Sequence, residues 1–406
     1  MDSSVAAPPV RQRLLSLDVF RGLTVAGMLL VNNPGTWSAI YPPLRHAQWH
    51  GWTPTDLIFP YFLFIVGITT VLSMDSRRAR GHDDSELSRQ VLRRGVIIFL
   101  LGLLLAWFPG YTWGEVAANP DPSFLDRVID RLPRTRIPGV LQRIGLAYAV
   151  AGLLVIRLRP RQQLIAAAAL LLGYWGAMTL IPVPDSGIMG WRTLDDPSGN
   201  LAAWLDRTLL DWGSLGNHLW ASSRTWDPEG LLSTVPAIGT VLLGAQAGRW
   251  LNSSRPLDEK LNLLFAAGVL ATVVGAMWGW VFPINKSLWT SSYTVFTAGM
   301  AAVTLATIIW MVDVRGWRGW TYPFVVYGVN PIVAFLGSGL MARLIYSVIR
   351  IDTETGSISL QAAIFRTIFE PLGSPRFASL LFAISFVALW FGILAVLHRR
   401  GIYLKV

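Results

Sequence analysis

Cysteine is absent from this 406-residue chain, which excludes disulfides, thiolate nucleophiles, iron–sulfur clusters and zinc–cysteine sites. Charge is scarce: 14% of the residues are Asp, Glu, Lys or Arg, against about 25% in soluble domains. No GxGxxG fingerprint, Walker loop or GxSxG elbow occurs, so nothing points to direct use of nicotinamide or nucleoside triphosphates. There is no clear internal repeat, which disfavours the repeat-built transporter folds. The first residues have no apolar core followed by a small-residue cleavage site. Residues 1–13 therefore read as a short cytoplasmic tail leading into a retained first helix.

What the chain has instead is apolar surface, with 53% hydrophobic residues and a mean hydropathy of +0.47. A membrane-crossing helix needs about 20 mostly apolar residues. Ten stretches qualify, near 15–33, 56–74, 92–109, 138–157, 162–182, 231–250, 261–281, 288–312, 321–345 and 378–397. The expected fold is an all-α polytopic membrane protein of about ten transmembrane helices, one domain over 14–406. An even number of spans puts both termini on one side.

The net charge of +10 is spent on topology rather than on nucleic acid. Arg11 and Arg13 precede the first span, and the clusters Arg77–Arg80, Arg89–Arg94, Arg157–Arg161 and Arg249–Lys260 fill even-numbered connections. Arg315, Arg318, Arg399, Arg400 and Lys405 follow the same alternation. By the positive-inside rule that face is cytoplasmic, and both termini lie there. The long connections near 34–55, 110–137, 183–230 and 346–377 then lie outside, with 183–230 expected to form a structured extracytoplasmic cap. Residues 110–137 break the pattern with Arg127, Arg131, Arg134 and Arg136, partly offset by Asp121, Asp126 and Asp130.

The segment LRHAQWHGWTPTDLIFPYFLF sets His46, His50 and Asp56 at the start of an apolar run. An ionisable group at a membrane edge is costly, and is kept where it faces water or a reaction. A neutral imidazole works near ambient pH, so His46 is a candidate base or nucleophile. Paired with His50 four residues on it could instead ligate a metal, but Gly51 and Pro54 favour a loop and no metal is expected. Asp56 either caps the second span, after Pro54 at its first position, or orients the imidazole. Asn32, with Asn33, ends the first span and could polarise an acyl carbonyl. Asp18 and Arg21, three apart, form an ion pair or offer Arg21 to a phosphate, and Arg249 is a second candidate phosphate contact. Gln142, Arg143 and Asn330 are buried polar groups that glue helices or meet substrate. Asp227 and Glu229 could pair with a substrate ammonium or be solvated loop carboxylates.

Six separated stretches occur in order: SLDVFRG, HAQWHGWTPTDLIFPYFLF, RIPGVLQRIG, DPEGLLSTVPAIGTVLLGAQAG, FPINKSLWTSSY and YGVNPIVAF. From about Leu14 to Val406 the chain resembles the heparan-α-glucosaminide N-acetyltransferase family of transmembrane acetyltransferases, its bacterial members in particular. The resemblance implies transfer of acetyl from cytosolic acetyl-CoA to the amino group of a glucosamine on the other side of the membrane. It places the family's active-site histidine on His46, its asparagine on Asn32 and its carboxylate on Asp56. The connection between Asn32 and His46 is longer than in the animal enzyme, and the 183–230 region differs in length, so heparan sulfate itself is not carried over as acceptor. The long N-terminal extension of animal members is missing. Expected partners are acetyl-CoA, an amino sugar or oligosaccharide and membrane lipid, with a homo-oligomer left open and no nucleic acid. The expected location is a bacterial inner membrane, with the active-site mouth periplasmic. The competing reading is a proton-coupled secondary transporter of an amino sugar, which wants its ionisable pair near the midplane rather than at one surface.

Overall fold

The computed structural model describes residues 14–112, 116, 121–354 and 356–404. The expected tail over 1–13, with Arg11 and Arg13, and the terminal Lys405 lie outside the described residues. The long helices are α1 (Leu15–Asn32), α2 (Ile58–Arg78) and α3 (Asp84–Trp107), followed after a short α4 (Phe124–Arg131) by α5 (Val140–Arg157) and α6 (Pro160–Leu180). Then come α7 (Leu201–Leu210), α8 (Thr234–Leu251), α9 (Leu257–Trp278) and α10 (Ser291–Ile309). The chain closes with α11 (Tyr322–Val329), α12 (Pro331–Arg343), a small hairpin β1 (Arg350–Thr353) and β2 (Gly356–Ser359), α13 (Leu360–Ile364) and α14 (Pro375–Arg399).

Among the described residues, nine helices are long and apolar enough to cross a membrane. The protein is therefore a mostly helical, multi-pass membrane protein. The helix expected near 231–250 is present as α8 but does not meet that apolarity test. Its neighbours explain why. Helices α2, α5, α6 and α10 enclose α8, so its surface meets protein rather than lipid and carries Thr240 and Gln246, the latter donating to Gln163 Oε1 at 3.0 Å. Gly67 of α2 and Gly244 of α8 bring these two backbones together, because a methyl group on either would overlap the opposite main chain. Small residues allow such close approach where lipid offers no hydrophobic drive. The largest apolar core lies between α2, α5, α8 and α10, around Leu63, Ala147, Val241 and Tyr293.

The span expected as one helix over 321–345 is broken at Asn330 into α11 and α12. Pro331 has no N–H and its ring clashes with the preceding turn, which ends a helix. Asn330 is fully buried; its amide donates to Ile402 O at 3.0 Å and its carbonyl oxygen accepts from Leu404 N at 3.2 Å. Irregular backbone at membrane depth is tolerated where it is covered by protein or lines a cavity, and both conditions are met here.

The 183–230 region is folded. Asn200 caps α7 by accepting from Ala203 N at 3.0 Å. Trp49 donates to Leu194 O at 2.8 Å and packs edge-on against Trp226 at 5.3 Å. These contacts pin the loop that carries His46 against the end of the bundle.

Candidate active site

Residues 46–56 fold back so that the start of α2 receives its own loop. Asp56 is almost fully buried and accepts from His46 Nδ1 at 2.6 Å, from Ala47 N at 3.0 Å and from Thr53 N at 3.0 Å. Tyr293 of α10 donates to the Asp56 main-chain oxygen at 2.5 Å. The carboxylate therefore does both things its sequence position allowed: it satisfies loop amides at a helix start and it holds the imidazole. His46 itself keeps a side chain 44% exposed. With Nδ1–H given to Asp56, the lone pair of Nε2 is available to the cavity.

A second cation joins this pair. Lys286, from the turn between α9 and α10, has its Nζ 3.1 Å from both ring nitrogens of His46 and 3.8 Å from Asp56 Oδ1. Equal distances in the ring plane would drive the amine into Cε1, so the ammonium sits over the ring face and leaves the Nε2 lone pair clear. Burial pushes the Lys286 pKa down, against the opposing pull of Glu229 and Asp56. Beside it, Glu229 and Asp227 share Arg136, whose Nε donates to Asp227 Oδ2 at 2.8 Å and whose Nη2 reaches both carboxylates. Burial works against the charged form of Glu229, but Arg136, Arg143 and Lys286 together hold its pKa below the usual value.

These groups surround one cavity of about 180 Å³. Asn32, His46, Glu229 and Lys286 form its polar mouth, and Val25, Met28, Ile58, Phe62, Ile144 and Phe335 form an apolar shaft. Thr24 and Pro331 mark its depth, so it follows α1 for about 12 Å at 1.5 Å per residue and ends at the break between α11 and α12. Asn33, by contrast, turns back to donate to Leu29 O at 2.8 Å and finishes its own helix.

The remaining sequence candidates go elsewhere. Asp227 is held by Arg136, and its oxygen also receives Glu229 N at 2.9 Å, so it braces the mouth rather than lining it. Arg143 is fully buried behind the site, donating to Gly230 O and Ser233 Oγ and lying over the Trp289 ring at 5.1 Å. Gln142 lines a separate cavity beside Arg131, Arg134, Arg136 and Arg343. Arg21 bonds Asp18 at 2.6 Å and Gly328 O at 2.5 Å, closing off a carbonyl near the end of α11. Arg249 lies 3.4 Å from Gln163 Oε1, and neither it nor Arg21 lines the His46 cavity. His50 faces away from His46, bonding Asp195 at 2.8 Å and Asn285 at 3.3 Å. The anomalous arginines of 110–137 are likewise engaged: Arg134 with Asp130 at 2.8 Å, Arg131 with Ala106 O at 3.1 Å, and Arg136 as above.

Sequence reasoning missed Lys286, Arg136 and Tyr293. A signal for the first was present: only three lysines occur, against an otherwise all-arginine basic set, and Lys286 stands alone in a connection at the His46 end.

The sequence profile described as "Heparan-alpha-glucosaminide N-acetyltransferase, catalytic" matches residues 13–275. The human protein named heparan-alpha-glucosaminide N-acetyltransferase is 31% identical over 375 residues, covering 82% of this chain and 53% of that protein. The mouse protein of the same name is 31% identical over 368 residues, covering 80% and 53%. The chain thus spans about half the length of the curated relatives it matches.

Proposed function

The chain belongs to the heparan-alpha-glucosaminide N-acetyltransferase family, and from that membership we propose that it moves acetyl from cytosolic acetyl-CoA to the amino group of a glucosamine-like sugar across a bacterial inner membrane. The observation that carries this reading is a cavity whose mouth presents Asn32 and the imidazole of His46, held from behind by Asp56, and whose shaft is apolar. A thioester on a long, weakly polar arm suits that shaft. An amine arriving at the mouth finds an imidazole whose tautomer is fixed. The cavity accommodates the acetyl end of the donor rather than the whole molecule. Its phosphates are assigned to the basic connections at the opposite end of the bundle. There Arg77, Arg93 and Arg94 line a second cavity of about 420 Å³, whose Thr70 lies about 21 Å along the helix from Asp56. The His46 end faces the periplasm in this reading and the arginine-rich connections face the cytosol, with both termini on the cytosolic side.

His46 acts through Nε2, either as the base that deprotonates the acceptor amine or as the nucleophile that carries the acetyl group transiently. Asp56 keeps Nε2 free and stabilises the charged ring. Asn32 supplies an amide donor to the oxyanion. Glu229 lines the acceptor side of the mouth and, with the Arg136–Asp227 pair bracing it, is placed to meet the acceptor ammonium.

The test is acetyl transfer from labelled acetyl-CoA to glucosamine by the purified protein in nanodiscs. Wild type is expected to turn over, and His46→Ala to lose about 10³-fold or more while saturating acetyl-CoA still raises its melting temperature. Wild-type turnover in His46→Ala, or no thermal stabilisation of the wild type by acetyl-CoA, would sink the reading. Acid trapping of acetyl on His46 with donor alone separates the two routes.

A further inference from the structure

We propose that Lys286 is a further catalytic group of this site, its ammonium countering the negative charge that develops on the acetyl oxygen at His46. The inference rests on the acetyltransferase reading and deepens it. Lys286 lines the same cavity as His46 and Asn32, and its amine lies over one face of the imidazole, equidistant from both nitrogens. A tetrahedral carbon at or near Nε2 carries its substituents above and below the ring plane. One of them therefore points toward Nζ. On the carrier route the Nε2 pair attacks the acetyl carbon and the C=O π pair moves to oxygen, where Lys286 and Asn32 oppose the charge. The C=O then re-forms as the C–S bond breaks and its electron pair leaves on sulfur. On the direct route the amine attacks the thioester carbon, its proton passes to Nε2, and the same oxygen carries the charge and needs the same partner. The C=O then re-forms as the C–S bond breaks with its pair leaving on sulfur.

The surroundings fit an ammonium kept for work rather than for structure. Around Lys286 lie His46 and Asp56 from the loop and start of α2, Glu229 from the connection before α8, and Arg143 from α5. Tyr293 of α10 is committed to the Asp56 main chain. Glu229 is already shared with Arg136, and Asp56 with His46 and two amides, so neither acid depends on Lys286 for its bonds. Burial that eases loss of the lysine proton brings that loss toward working pH.

The experiment is the pH profile of kcat and of kcat/KM for acetyl-CoA, with glucosamine as acceptor, for wild type, K286M and K286R in nanodiscs. Wild type is expected to fall on the alkaline side as Lys286, its pKa lowered by burial, loses its proton. K286M is expected to lose about 10²-fold in kcat, the usual cost of one oxyanion donor, with KM for acetyl-CoA changed less than about threefold. Its alkaline fall disappears. K286R keeps the charge at all pH, so it recovers part of the rate and also lacks the alkaline fall. Should K286M not fold, K286R still decides: an alkaline limb unchanged from wild type overturns the assignment. So does a folded K286M with wild-type kcat. A wild type without any transfer removes the acetyltransferase reading and this role with it, whereas an active wild type beside an equally active K286M removes this role alone.

Discussion

The mouth of the cavity and its shaft are built from opposite materials. At the mouth the buried carboxylates meet cations or donors: Asp56 accepts from His46 and lies beside Lys286, and Glu229 and Asp227 pair with Arg136. A few residues deeper, Val25, Met28, Phe62, Ile144 and Phe335 offer no hydrogen bond at all. The mouth is supplied mostly by connections, with His46, Glu229 and Lys286 outside the helices and Asn32 at the end of α1, whereas the shaft is supplied by α1, α2, α5 and α12. The difference teaches what each should cost when damaged. Groups at the mouth act on charge that changes during reaction, so their loss falls on kcat, whereas the shaft offers shape, so its loss falls on donor binding.

The largest effect that would sharpen this contrast after loss of His46 is at the residue behind it. Asp56→Asn keeps the size of the side chain but no longer enforces the Nδ1–H tautomer or stabilises the charged ring. A fall of about 10²- to 10⁴-fold in kcat is expected, with KM for acetyl-CoA little changed. Because Asp56 also receives Ala47 N and Thr53 N, the melting temperature should be read alongside. A parallel loss of folding would mean that its helix-start role outweighs its role on the imidazole. A smaller effect of the opposite kind is expected from Met28→Trp. The indole would fill part of the 180 Å³ cavity without touching the His46–Asp56 pair, raising KM for acetyl-CoA about tenfold, or about 1.4 kcal/mol, at nearly constant kcat. If kcat fell and KM held, the division between mouth and shaft would be wrong.

How much of this was legible in the sequence depends on what kind of fact was asked. Hydrophobic run length located the helices well, because lipid imposes one requirement on all of them. It overstated α8, whose covered surface relaxes that requirement, and it could not see that Asn330-Pro331 would split a span, since a proline in an apolar run also occurs in kinked but continuous helices. That His46, Asn32 and Asp56 come together was legible because one short segment and the end of α1 supply all three. Glu229, read from the sequence as a substrate partner or a solvated loop carboxylate, lines the same cavity. Arg21 and Arg249 were chosen as phosphate contacts for their charge, and charge does not distinguish an arginine bonded to a carbonyl oxygen of its own chain from one that holds a ligand. Arg136 was read as an exception to topology, when its partners lie about 90 residues away in sequence, at Asp227 and Glu229. Lys286 arrives from a turn 240 residues beyond His46, a separation across which no local pattern in a single sequence speaks.

The smallest effect is expected where neither mouth nor shaft is touched. Leu270 sits on α9, whose residues point mostly outward, and is 65% exposed in the bundle. In a bilayer that surface meets acyl chains, which are as apolar as leucine itself, so the side chain gains little from protein contacts. Leu270→Ala should therefore leave transfer rate and KM unchanged and shift stability by no more than about 0.5 kcal/mol, measured by thermal unfolding in nanodiscs. A marked loss would mean that this face of α9 is covered by another protein surface, a second copy of the chain being the first to test by crosslinking at Leu270 and Val274. The ranking from Asp56 through Met28 to Leu270 would then have to be redrawn, because the outer wall would no longer be the inert reference against which the mouth and shaft are compared.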